Sequence, residues 1–145
     1  MGRILTNVCL LFIMTLFSHC KKEMGLSTAN LSGLWELSQA QVSLLPPTTY
    51  TPGNGNTYKF NKNNYEKYEN NVLVKSGTFI LMEDTTAEET VGLVLPAGKY
   101  TTRIIFDDNI TAEKTFLQIE GNNLVLLSGY FPLDGGSNYS YQKIN

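Results

Sequence analysis

Leu31-Ser32-Gly33-Leu34-Trp35-Glu36-Leu37 holds the only tryptophan of a 145-residue chain. It lies between an apolar N-terminal run and a region of alternating strand and turn signals. A glycine two residues before a tryptophan lets the backbone turn tightly with the indole beneath it. An indole is a large apolar body with one polar handle, well suited to plugging the open end of a barrel. The downstream sequence therefore reads as strands closing around Trp35.

Working outward from this stretch, the pattern predicts a first strand over Leu34–Leu45. Trp35 and Leu37 share one face, whereas Val42 and Leu44 have the opposite parity. A bulge near Gln39–Gln41 would turn both pairs inward. Pro46-Pro47 stops the strand, and Pro52-Gly53-Asn54-Gly55-Asn56 is a polar loop. Tyr58 and Phe60 recur at period two in a strand Thr57–Asn61, and Tyr65–Glu69 follows an Asn-rich turn. Val72–Met82 carries Gly77 at its middle, where a barrel corner would need a kink. Glu83–Lys99 is irregular, with an apolar island at Val91–Leu95. Tyr100–Phe106, the hairpin Lys114–Ile119 with Asn123–Ser128, and Ser137–Ile144 complete the strands. No stretch reads as a helix. The expected fold is all-β: an antiparallel up-and-down β-barrel of about eight strands, whose closure removes exposed edges.

Composition narrows the function classes. Hydrophobic residues make up 42% and aromatics 11%, so the chain can build a core. The net charge of −2, with no basic stripe, excludes nucleic acid as the expected partner. Both cysteines and the single histidine, His19, fall in the first twenty residues.

Arg3, the uncharged run Ile4–Phe17 and then Phe17-Ser18-His19-Cys20 followed by Lys21-Lys22-Glu23 resemble a bacterial lipoprotein signal. His19 stands where that pattern usually has Gly, Ala or Ser. The resemblance implies a signal peptide over 1–19, lipidation of Cys20, a tether over 20–30 and a folded domain over 31–145. The other readings of the segment are a plain secretory signal and an uncleaved anchor. Each buried acyl CH₂ contributes ~0.8 kcal/mol, so several chains on one cysteine hold a protein at a membrane without a spanning helix. Lys21-Lys22-Glu23 also resembles signals that send some lipoproteins to the cell surface. The implied address is the bacterial envelope, as an outer-membrane lipoprotein facing the periplasm or the exterior. Removal of residues 1–19 leaves no histidine and one acylated cysteine. Cys–His and Ser–His catalysis, His-based metal sites and an internal disulfide are then ruled out.

The stretch Leu31–Leu37 resembles the Gly-x-Trp start of lipocalins and their small bacterial lipocalin-like relatives. Tyr58-Lys59-Phe60-Asn61, Tyr65, and Ser76-Gly77-Thr78-Phe79 resemble the middle of those domains. Asp134-Gly135-Gly136-Ser137-Asn138-Tyr139-Ser140-Tyr141-Gln142-Lys143 resembles their closing strand. The resemblance runs from Leu31 to the C-terminus. It implies that Gly33, Trp35 and Lys143 define the fold, Lys143 packing on the indole as a basic residue does in lipocalins. The Arg-x-Tyr of fatty-acid-binding relatives is missing at Tyr139-Ser140-Tyr141.

Inward-facing candidates by parity are Tyr58, Phe60, Tyr65, Phe79, Ile104, Phe106, Leu117, Leu127, Tyr139 and Tyr141. Phe60, Tyr65 and Phe106 are the expected cavity wall, because aromatics combine apolar area with, for Tyr, a polar handle. Trp35 should seal one end and the Pro46–Asn56 loop should lie at the opposite rim. Arg103 is expected to face solvent, with an anion-holding role as the alternative. Glu83, Asp84, Glu88 and Glu89 match no calcium loop and read as a solvated segment. Tyr130 and Phe131 either cap the barrel or line its mouth. No cofactor or metal is expected, and no nucleophile has a histidine to serve it, so the chain does not read as an enzyme. Two functions stay open. One is a membrane-tethered binder of a small hydrophobic ligand. The other is a structural or interaction barrel filled by its own side chains.

Overall fold

The computed structural model describes residues 27–144. The signal-like segment and Cys20 lie outside them. The described chain is nearly all β. Nine strands form one antiparallel sheet: β1 (Gly33–Val42), β2 (Thr48–Thr49), β3 (Thr57–Asn61), β4 (Asn64–Glu69), β5 (Val72–Glu83), β6 (Thr102–Phe106), β7 (Thr115–Glu120), β8 (Asn123–Ser128) and β9 (Ser137–Ile144). β1 pairs with β3, each strand from β3 to β8 pairs with its successor, and β9 pairs back onto β1, closing an eight-stranded up-and-down barrel. The short β2 adds to the edge of β1 through Gln39↔Thr49 and Ala40↔Thr48.

The register sets the two ends. One end holds Gly33, the β3–β4 turn and the β7–β8 turn. The other holds Val42, the β4–β5 turn, and the β6–β7 and β8–β9 loops. A short helix α1 (Thr28–Leu31) leads into the first end, where Leu31 and Trp35 are fully buried.

The barrel interior packs Trp35, Leu37, Phe60, Tyr65, Phe79, Ile104, Leu117, Leu124, Leu126 and Tyr141. A second cluster lies outside the wall: Phe116 and Leu127, paired across β7–β8, are covered by Ala87, Val91 and Phe131. Leu127 therefore belongs to the outer face, and its neighbours Leu124 and Leu126 face inward. An unbroken Leu-Val-Leu-Leu run has no alternation to reveal which face is which.

Several expectations are corrected here. The bulge in β1 falls between Leu37 and Gln39. It does not bring Val42 and Leu44 inside; they are 50% and 67% exposed. The register around Gly77 is regular, and the β4–β5 irregularity sits instead between Lys67 and Tyr68, leaving Val74 as the extra residue on β5. Gly77 is required for space, because a Cβ there would collide with the Asp107 carboxylate. The irregular segment after β5 contains a helix, α2 (Ala87–Val91), which ends at Gly92 in the left-handed region (φ 68°). Five residues are too few to show a helical period. Ala87 and Val91, one turn apart, are the face that covers Phe116 and Leu127.

Asp84 ties this segment down. Its Oδ1 accepts bonds from the Thr86 N–H (3.0 Å) and hydroxyl (2.7 Å), and its Oδ2 lies 2.8 Å from Lys114 Nζ. Burial works to raise the Asp84 carboxyl, but the Lys114 and Thr86 hydrogen bonds outweigh it and hold the group at about 2, below the ordinary 3.8. A carboxyl depressed on folding stabilises above its unfolded pKa and loses that contribution as pH falls through the folded value. The loss should span pH 3.8 to about 2. Asp84→Asn is expected to lower stability at neutral pH and to flatten this part of the acid limb, measured as urea midpoint against pH.

Candidate functional site at the open end of the barrel

The sealed end is built from the opening stretch. Trp35 stands opposite Tyr58 on β3 and Lys143 on β9. Its indole N–H donates to the Leu31 carbonyl at 2.7 Å, which satisfies the only polar atom of a fully buried ring. Lys143 Nζ lies 5.1 Å from the indole centroid, within cation–π range. Gly33 makes this possible. Its φ is +135°, and a Cβ there would come within 2.6 Å of Lys143 Cε, so only glycine lets the lysine stem cross to the indole.

At the opposite end a cavity of about 510 Å³ opens between the loops. Its apolar and aromatic walls are Leu37, Tyr50, Tyr58, Phe106, Leu126, Tyr139 and Tyr141, and its polar rim includes Asn56, Lys67, Tyr68 and Glu69. Tyr58 is the hub of the floor. Its ring stacks on Phe60 (5.3 Å, 13°) and Phe106 (6.1 Å, 16°) and meets Tyr141 edge-on (5.5 Å, 71°). Burial, then the neighbouring Tyr65 and Glu69, pushes the Tyr58 hydroxyl up to about 12. Burial and then Tyr58, Tyr139 and Glu69 drive Tyr141 further up, so both stay protonated donors at any physiological pH.

Of the three expected wall residues, only Phe106 lines this cavity. Phe60 and Tyr65 are buried beneath the floor. Phe60 packs edge-on against Phe79 at 5.2 Å, and Tyr65 against Phe106 at 4.7 Å. The Tyr65 hydroxyl donates to Asp107 at 2.9 Å, and Lys75 Nζ lies 3.0 Å from the same carboxylate. The Lys75 hydrogen bond holds Asp107 below its ordinary range. Tyr65 is thus engaged in a polar network and is not exposed to a ligand.

The loop after β1 reaches the mouth through Tyr50 and Asn56 but also folds back along the wall. The buried Glu36 carboxylate accepts the Gly53 N–H at 2.9 Å and the Gly55 N–H at 3.3 Å, and the Leu37 N–H donates to Asn56 O at 2.8 Å. Arg103 does not face solvent. It projects from the outer face of β6 but is only 7% exposed, because the β6–β7 loop folds over it and its Nη2 donates to the Ile110 carbonyl at 2.8 Å. Its Nε is buried without a partner. Phe131 neither caps nor lines the mouth. It packs in the outer cluster, while Tyr130 is half-exposed beside it. Glu83, Asp84, Glu88 and Glu89 do not converge: Asp84 serves Thr86 and Lys114, and Glu88 accepts the Leu95 N–H at 2.7 Å. Among the described residues no cluster of ligating side chains could hold a metal ion, and no helix is long and apolar enough to cross a membrane.

No protein-family model matches the chain, no curated protein is significantly similar to it, and no solved structure matches its fold at a significant level.

Proposed function

We propose that this chain is a membrane-tethered, lipocalin-like binding protein of the bacterial envelope that takes a small, largely apolar ligand into the open end of its barrel. The observation that carries this reading is the cavity of about 510 Å³, floored by Tyr58, Phe106, Tyr139 and Tyr141. A pocket of this size, lined by six aromatic side chains and two leucines together with seven polar or charged residues, suits one small molecule. The closed end with Trp35 and Lys143 is consistent with the resemblance noted in the sequence. The proposed tether ends at α1, beside the closed end, so an acylated Cys20 would leave the mouth accessible.

A hydrophobic fluorescent probe titrated into the folded protein should bind saturably at one site. Phe106→Ala should weaken that binding by about tenfold, the effect of removing one aromatic wall worth ~1.4 kcal/mol. Absence of probe binding to well-folded protein favours the second reading, a barrel filled by its own side chains. The dense packing of Phe60, Tyr65, Phe79 and Leu117 below the cavity supports that reading. The anchor is tested separately. A palmitate analogue fed to cells should label the wild type and not Cys20→Ser, and equal labelling would remove lipidation from the proposal.

A further inference from the structure

We infer that the cavity selects an uncharged ligand with a flat apolar body and a carbonyl-type hydrogen-bond acceptor, and discriminates against fatty-acid-like anions. The inference rests on the binding reading above and adds the chemical class.

The hydroxyls of the cavity tyrosines carry the argument. Two tyrosines are already committed: Tyr65, beneath the floor, donates to Asp107, and Tyr68, at the rim, donates to Glu66 at 2.7 Å. Tyr58 and Tyr141 have no hydrogen-bond partner among the described residues. Tyr141 is only 6% exposed, yet its oxygen is not among the buried polar atoms sealed off without a partner, so what it can reach is the cavity it lines. Tyr58 lies against it across the floor. A phenol is a better donor than acceptor, and leaving it dry costs free energy that a purely hydrocarbon ligand cannot offset. An open cavity leaves these hydroxyls free to bond to solvent, and a ligand that excludes solvent keeps the donors satisfied only by presenting an acceptor. The surrounding rings of Tyr58, Phe106 and Tyr141 offer stacking and edge contacts to a flat body.

The charges point away from an anion. Lys67, the single lysine lining the cavity among the described residues, is paired with Glu69 at 2.7 Å, so the described rim offers no unneutralised cation. Burial, which raises the Tyr58 and Tyr141 phenols, disfavours a carboxylate at the floor as well, and the Lys75 charge that lowers Tyr58 is already paired with Asp107 at 3.0 Å.

Three probes of similar size separate the possibilities by calorimetry on the folded protein: 2-methyl-1,4-naphthoquinone, 2-methylnaphthalene and decanoate. The quinone is expected to bind at least about tenfold more tightly than either of the others. Tyr141→Phe should cut the quinone-to-naphthalene affinity ratio about fivefold, the effect of one lost hydrogen bond. Tyr58→Phe provides the same readout if Tyr141→Phe does not fold. Equal binding of quinone and naphthalene, tightest binding of decanoate, or an unchanged ratio in both variants overturns the selectivity while leaving the binding cavity intact. Binding of none of the three overturns both.

Discussion

Trp35→Ala is expected to destabilise the protein by about 3–5 kcal/mol, the cost of emptying a fully buried aromatic site. A domain of this size has only ~5–15 kcal/mol in total, so much of the variant should be unfolded at physiological temperature. Three contributions add at this residue. The ring is completely buried in the barrel interior, its N–H serves the Leu31 carbonyl, and its face receives Lys143. Removing the indole leaves a cavity at the closed end, orphans a buried carbonyl and releases α1. In the wild type, tryptophan emission should be blue-shifted and poorly quenched by iodide. A melting temperature unchanged by Trp35→Ala, or emission like that of free tryptophan, would refute the plug. Lys143→Met should cost less, about 0.5–2 kcal/mol, since it removes the cation–π contact but keeps most of the apolar stem.

Phe131→Ala is expected to cost a similar ~3–5 kcal/mol, although the residue lies in a loop between two strands. Its ring is buried against Ala87, Val91, Phe116 and Leu127, and Gly136 is glycine because a Cβ would strike that ring. The short helix α2 has almost no stability of its own at five residues and holds its place by this packing. The variant should therefore lose the α2 cover along with the Phe131 contacts, seen as a lower urea midpoint and faster hydrogen exchange over 84–101. Trp35 emission should be unchanged before the transition, because the outer cluster is separated from the plug by the barrel wall. A midpoint shift worth less than ~0.5 kcal/mol would mean that Phe131 is an open loop residue after all.

Whether an aromatic meets a ligand depends on its height in the barrel, which parity does not report. β3 runs from the mouth toward the closed end, so Tyr58 lies nearer the opening than Phe60, two residues later on the same face. β4 runs the other way, which puts Tyr65 deep and Lys67 and Glu69 at the rim. Strand direction applied to the period-two pattern would have ranked Tyr58 above Phe60 and Tyr65. Phe106 keeps its place because it ends β6 at the mouth.

The amino-acid sequence alone determines the all-β class, the position of most strands and the inward face of those that alternate. It also marks the Gly33–Trp35 turn. These follow from local rules: a period of two, β-branched and aromatic enrichment, and turn residues between the runs. Tertiary structure decides what depends on elements far apart in the chain. The β6–β7 loop buries Arg103, and α2 with the 3₁₀ turn Phe131–Leu133 makes the outer face of Leu127 a second core. The barrel's height divides its aromatics into a packed floor and a cavity wall. In these cases burial comes from elements outside the strand's own local pattern, because closure brings β1 against β9 and connecting segments fold back over the barrel wall.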